Sequence, residues 1–154
     1  MLTPGVAAVR PVRRSDAAAW RVMRQALWPG GSEAEHAEEI EEFFSGKARE
    51  PLAVLIAEDV AGNALGFAEL SIRPSAEQCR TDHVGFLEGW FVVPEARRRG
   101  VGRRLVEAAE NWARSQGCVE LASDSEAGNT VSAAAHAALG FDDVGLVRCY
   151  RKDL

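Results

Sequence analysis

Five arginines stand within eight positions of this sequence, Arg97, Arg98, Arg99, Arg103 and Arg104, with Gly100 and Gly102 set among them. Glycine lets the backbone approach a ligand closely, and bare amides at the start of a helix attract anions. Arginines alongside supply charge-assisted hydrogen bonds to phosphate oxygens. Residue types and spacing describe a phosphate or pyrophosphate cradle; the competing reading is an ordinary strand-to-helix turn carrying surface arginines. The Gly-Lys-Ser/Thr ending of a Walker loop is missing, and so is the third glycine of a dinucleotide fingerprint. A second tract has the opposite sign: residues 33–42 hold six glutamates and no lysine or arginine. It reads either as the solvated face of a helix or as an attractor for a cation.

These tracts need elements to position them. Residues 84–93 read as a strand stopped by Pro94, and a helix follows from about Gly100 to Gln116, closed by Gly117. Upstream, 6–13 reads as a strand. A helix from Asp16 to Leu27 takes Ser15 as its N-cap, and a second runs from Ser32, with Glu35 completing a capping box, to about Gly46. Ala37, Ile40, Phe43 and Phe44 form the packed face of that second helix. Strands at 52–58 and 64–73 flank a Gly62-Asn63 turn. After the long helix come a strand at 118–123, a helix at 129–139, and strand-like pieces at 141–145 and 147–152. An antiparallel meander followed by strand–helix–strand alternation makes a mixed α/β domain.

The chain has 154 residues, 47% apolar and 27% charged, with a net charge of −5. Length and composition fit a single domain, 1–154, with a core of its own. No apolar run reaches the roughly 18 residues that a membrane span needs. The opening residues lack a signal-peptide core. The acidic balance argues against nucleic acid and favours a cationic small molecule. Cys79, Cys118 and Cys149 are odd in number and far apart, so neither a disulfide framework nor a metal site is expected, and a reducing cytoplasm is. Cys118 and Cys149, in strand-like segments, are read as packed apolar residues.

Arg97-Arg98-Arg99-Gly100-Val101-Gly102, after a strand ending Val-Val-Pro, resembles the Arg/Gln-x-x-Gly-x-Gly/Ala signature of the GNAT N-acetyltransferase superfamily. The resemblance implies a central, mostly antiparallel sheet with splayed middle strands flanked by helices. It also implies acetyl-coenzyme A as cosubstrate, its pyrophosphate on the signature loop from Arg97 to Arg103. The pantetheine arm would lie on backbone groups of Trp90, Phe91 and Val92. Asn129 heads the helix ending Leu139-Gly140-Phe141, the second coenzyme-facing segment.

Further segments resemble one branch, the aminoglycoside 6′-N-acetyltransferases: Gln25 to Gly30, Gly66 to Glu69 with Ser71-Ile72-Arg73, Phe86 to Val92, Ala122-Ser123-Asp124, Asn129-Thr130 with His136, and Tyr150-Arg151-Lys152. This implies direct acetylation of the 6′-amine in a ternary complex, antibiotic resistance, and a homodimer. Carboxylates and an aromatic wall suit a polycation. Glu88 is either the solvent-facing residue of an alternating strand or a substrate carboxylate. Asp124 is either a loop aspartate or a group at the cleft mouth, and Trp28 either core or the flat wall against the sugar rings. Glu88 or Asp124 would take the ammonium proton, and the Val92 N–H would steady the oxyanion. His136 stands where many superfamily members keep a tyrosine, so it reads as donor to the departing thiolate or as a backbone-bonded helix histidine. Tyr150, the only tyrosine, is a second donor or a strand-core residue. Ala76 replaces a tyrosine that close relatives use, and Gly145 an acid, for which Asp142 or Asp143 could substitute. Two other functions remain open: acetylation of a different amine, a polyamine or a protein N-terminus, and a non-catalytic coenzyme sensor.

Overall fold

The computed structural model describes residues 5–154; residues 1–4, at the head of the stretch read for a signal peptide, lie outside it. One sheet holds β1 (Ala8–Pro11), β2 (Ala53–Glu58), β3 (Ala64–Arg73), β4 (Val84–Val92) and β5 (Leu121–Ser123), in that order. Neighbours among the first four are antiparallel, and β5 runs parallel to β4. The helices are α1 (Ala17–Leu27), α2 (Glu33–Phe44), α3 (Val101–Ser115) and α4 (Thr130–Ala138). No described helix is long and apolar enough to cross a membrane.

The sheet is covered on both faces, which is why β2 and β3 are nearly continuous apolar runs. On one face α3 packs Val101, Leu105, Val106 and Ala109 against Leu55, Ala57, Leu70 and Leu87. On the other, Trp20 and Met23 of α1 and Ile40 of α2 cover Val54, Ile56 and Phe67. Trp20 meets Phe43 and Phe44 edge-on, at 5.4 and 5.9 Å between ring centroids, which locks α1 to α2.

Local signals held where their partners are local. Ser32 and Glu35 form the expected capping box, with Ser32 Oγ accepting from the Glu35 N–H at 3.1 Å and Glu35 Oε2 from the Ser32 N–H at 2.7 Å. Ser15, by contrast, does not cap α1; it lies in a 3-10 turn, Arg14–Asp16. Asp16 draws the turn together instead, accepting from the Arg13 N–H at 2.7 Å and from both terminal nitrogens of Arg10 at 2.7 and 2.9 Å. That arginine holds the Asp16 carboxyl below its usual range. In α2 it is His36, not Ala37, that turns inward beside Ile40. Its ring has hydrogen-bond partners there, so burial leaves no polar atom bare.

Two larger departures shape the molecule. The register of β3 on β4 runs Glu69↔Gly89 and then Leu70↔Leu87, so Glu88 is the extra residue of a β-bulge. The bulge breaks strict alternation and re-aims what it carries; Leu87 and Trp90 consequently pack on the same face. The second departure is the C-terminus. Residues 141–154 form no strand, and Val144, Leu146, Val147 and Tyr150 are exposed. With β5 at the sheet edge, the tail pairs with no strand of its own chain.

Candidate active site

The strand that parts from its neighbour is β4. It pairs with β5 only over Gly85↔Leu121, Phe86↔Ala122 and Leu87↔Ser123, so the sheet opens beyond Leu87. Which backbone groups line the opening follows from the ladder on the other side. The Val93 N–H donates to the Leu65 carbonyl at 2.9 Å, and the register continues Gly66↔Val92, Phe67↔Phe91. Hydrogen-bonded pairs alternate in an antiparallel ladder, so the Phe91 amide and carbonyl belong to β3. Those of Trp90 and Val92 face the gap. This corrects the expectation for Phe91, whose backbone is spent inside the sheet and whose side chain packs with Phe67. Arg97 Nε donates to the Val92 carbonyl at 2.8 Å, which leaves the Val92 N–H as the group turned to the opening.

At the end of β4 the chain turns through Pro94–Ala96 and enters α3 at Gly100, whose φ of 79° is left-handed. A side chain there would be strained, so glycine sets the angle at which the first α3 amides are presented. Arg98 also sits at positive φ, 63°. Among the described residues, none of Arg97, Arg98, Arg99, Arg103 and Arg104 pairs with a carboxylate. Exposed arginines around an N-terminal turn of bare amides fit a polyanion such as a pyrophosphate. Val101 contributes only its amide, because its side chain is in the core. Asn129 is occupied as the cap of α4, its Oδ1 accepting from the Ser132 N–H at 3.0 Å.

On the far side of β4 lies an open cleft of about 370 Å³, lined among others by Trp28, Glu39, Glu50, Glu69 and Glu88. Trp28 is half-buried: it stands on the bare backbone of Gly89, where a Cβ would come within 2.5 Å of the indole. It meets Phe67 edge-on at 6.2 Å, and the Arg24 guanidinium lies 5.0 Å from its ring. Arg24 is the hub of this wall. It ion-pairs with Glu69 and Glu39, and its Nε–H donates to His36 Nδ1 at 3.3 Å. The His36 Nε2–H then donates to the Trp28 carbonyl at 3.2 Å. Burial pushes the Glu69 carboxyl up to about 7, against the pull of Arg24.

Glu88 also has a resident cation. Arg73 donates from Nε to Oε1 at 2.9 Å and from Nη2 to Oε2 at 2.6 Å. The same guanidinium lies 3.6 Å above the Phe86 ring. Its pKa is raised by Glu88 first and also by the charges of Glu50 and exposed Asp124. A carboxylate has about four lone-pair sites, so a bidentate arginine leaves room for a second donor.

His136 lies between the rings of Trp90 and Phe141, at 5.3 and 5.1 Å. Neither ring nitrogen is free: Nδ1 is 2.8 Å from the Ser132 carbonyl and Nε2 is 2.9 Å from Ser123 Oγ. Tyr150 is 87% exposed in the tail, so the strand-core reading does not describe its place. Cys149 is exposed rather than packed, whereas Cys118 is buried. Among the described residues no cluster of three His, Cys, Asp or Glu side chains is gathered to hold a metal.

Arg24 and His36 carry no expectation from the sequence, and Glu69 and Arg73 stand there only within segments of the resemblance, without a role. A signal for Arg24 exists: Trp20, Met23, Arg24 and Leu27 follow helical spacing, which puts a guanidinium in an apolar stripe. Glu69, inside the run ALGFAELSIR, is its matching carboxylate.

A split sheet with gap-facing amides, a helix start of bare amides among unpaired arginines and an acidic cleft on the same strand suit an acyl-transfer scaffold with a phosphorylated donor. The acetyltransferase (GNAT) family profile matches residues 19–141. The chain belongs to that family. It is 59% identical to an aminoglycoside N(6′)-acetyltransferase type 1 of Klebsiella aerogenes, over 95% of this chain and 96% of that one. It is 40% identical to the type 1 enzyme of Salmonella typhimurium, over 94% and 97%. Among solved structures, aminoglycoside N-acetyltransferase AAC(6′)-Iy in complex with CoA superposes with a TM-score of 0.87 at 37% identity, covering all of both chains. The same enzyme with a bisubstrate analog, CoA-S-monomethyl-acetylneamine, gives 0.85 at 38% identity, over 96% and 98%.

Proposed function

We propose that this chain transfers the acetyl group of acetyl-coenzyme A to the 6′-amine of aminoglycosides by direct attack, and so confers resistance to them. The observation that carries the reading is the pairing, on opposite sides of one bulged strand, of a polyanion cradle and an aromatic-walled acidic cleft. The names and near-full-length coverage of the relatives support the same substrate class. All of residues 1–154 are read as one such domain.

The donor fits the residues present. Exposed arginines and the α3 amides suit its pyrophosphate, and the gap-facing groups of Trp90 and Val92 suit an extended amide-bearing arm. The substrate amine arrives as an ammonium and must lose a proton before it attacks. Glu88, aimed by the bulge and held by Arg73, accepts from the ammonium through its remaining lone pairs; Asp124 shares the attraction from the cleft mouth. Trp28 is the wall on which sugar rings rest, and Glu39 and Glu50 extend the acidic surface toward further ammonium groups. As the nitrogen adds to the thioester carbonyl, the Val92 N–H donates to the developing oxyanion. The departing sulfur then takes a proton.

A homodimer is part of this reading, supported by the unpaired tail: residues 141–154 carry exposed apolar side chains beside an open sheet edge. Equilibrium sedimentation checks it; a monomer at micromolar protein would remove the dimer. A cytoplasmic location is supported by three free cysteines.

The test of function is thiol release from acetyl-coenzyme A with kanamycin or tobramycin, with spermidine and a peptide mixture in parallel. Saturable release with the antibiotics, and one acetyl on the 6′-nitrogen by mass spectrometry, is the expected result. Release with another amine alone would keep the donor site and reassign the cleft. Rapid N-acetylation of paromomycin, which has a hydroxyl at that position, would contradict the regiochemistry.

A further inference from the structure

The hydroxyl of Ser123 occupies the last rung of the β4–β5 ladder, the point from which the strands part. It lies 3.2 Å from the Leu87 carbonyl across the rung and 2.9 Å from His136 Nε2. One hydroxyl proton therefore has two acceptors. The far side of the imidazole decides between them. Nδ1 is 2.8 Å from the Ser132 carbonyl, which can only accept, and 3.3 Å from Ser132 Oγ; the shorter contact places a proton on Nδ1, and the hydroxyl then turns its own proton elsewhere. In the neutral ring Nε2 is then an acceptor, Ser123 donates to it, and the serine lone pairs are left for an incoming N–H. In the imidazolium Nε2–H donates to Ser123, whose own proton turns outward, toward Leu87 or whatever stands beside it. The direction of the Ser123 hydroxyl thus follows the charge on His136. Trp90 and Phe141 hold the ring edgewise and keep it in this plane.

We propose that Ser123, backed by His136, is a proton shuttle at the vertex of the split sheet, moving a proton from the attacking nitrogen to the departing sulfur. This rests on the acetyl-transfer reading above. The substrate ammonium first gives one proton to Glu88, and this proton leaves to solvent. After the N–C bond forms, the nitrogen carries an excess proton. It passes to Ser123 Oγ while the serine proton passes to His136 Nε2. When the C–S bond breaks, Nε2 returns a proton through Ser123 to the thiolate. One N–C and one S–H bond form, one C–S and two N–H bonds break, and the enzyme ends as it began, with one proton released overall. Ser123 is the catalytic group; His136, with no free ring nitrogen, acts through it and is a positioning residue.

The experiment compares wild type, Ser123→Ala, Ser123→Thr and His136→Gln in single-turnover acetyl transfer to kanamycin across pH. Ser123→Ala is expected to slow transfer about 100-fold, the lower range for a lost proton-transfer group. Acetyl-coenzyme A affinity and the thermal midpoint should stay unchanged, and the pH profile should differ from that of wild type. Ser123→Thr, which keeps the hydroxyl, should restore most of the rate. Adding His136→Gln to Ser123→Ala should cost little more, since the two act as a unit. Nitrogen NMR of the donor-free protein should show His136 Nε2 losing its hydrogen-bonded shift in Ser123→Ala. An active wild type whose Ser123→Ala variant keeps rate and pH profile overturns the shuttle alone. A wild type that releases thiol with no amine overturns the transfer reading and the shuttle with it.

Discussion

The two sides of β4 treat arginine in opposite ways. On the α3 side the arginines from Arg97 to Arg104 are exposed and unpaired with carboxylate among the described residues. On the α1–α2 side Arg24 and Arg73 are each bound to carboxylates of other elements. The first side holds its charge in reserve for an anion that is brought from outside. The second has already neutralised part of its own acidity, with Arg73 held bidentate on Glu88. On the proposed reading, a polycation would have to share carboxylate lone pairs with resident arginines, whereas a polyanion would meet unpaired ones.

The sharpest way to break the second side is to remove its hub. Arg24→Met leaves Glu69 buried without its cation, and loss of one partner of a buried pair costs about 3–5 kcal/mol. Urea unfolding should show that loss, and adding Glu69→Leu should recover much of it. Next in size, Glu88→Gln should lower turnover about 100-fold, while coenzyme affinity by calorimetry stays as in wild type. On the first side, Gly100→Val forces a branched residue into the left-handed region at roughly 1–2 kcal/mol, enough to weaken coenzyme binding about tenfold. That variant should leave aminoglycoside affinity alone, which separates the two sides.

A pH series sharpens the contrast further. The Glu69 carboxyl rises from the ordinary range to about 7 on folding, so between those limits the folded chain binds more protons than the unfolded one. Its contribution to stability is full below the ordinary carboxyl range and is lost as pH rises toward 7. Thermal midpoints of wild type should carry this downward slope over that window, and Glu69→Gln should flatten it. The smallest effect belongs to the outer face of α2: Glu41, paired with Arg14 in open solvent, should be replaceable by Gln with no measurable shift in midpoint.

How much could be read in advance divides along the same strand. The Gly100 turn, the Ser32 capping box and the long α3 were legible because each is settled within a few residues. The cleft was legible only in its parts. Trp28 and Glu88 were named, but the arginines that hold them were not, because Arg24 meets Glu69, and Arg73 meets Glu88, through separate elements of the sheet. Ser15 failed as a cap because Arg10, from β1, claims the Asp16 beside it. The C-terminal strands had the right composition and no partner; a strand needs an edge to bond to, and its own residues cannot declare one.

By itself, then, the sequence determined the α/β order of elements as far as α4, the glycine turn that opens α3 and the family, since these rest on periodicity, on glycine at a turn and on contiguous motif. Only the tertiary structure decided that one extra residue in β4 would aim Glu88 into the cleft and that Phe91 would lose its backbone to β3. It also decided that both ring nitrogens of His136 would be engaged, by Ser123 and by Ser132. Each of those depends on register between strands far apart in the chain, and a shift of one residue there exchanges every face and every free amide.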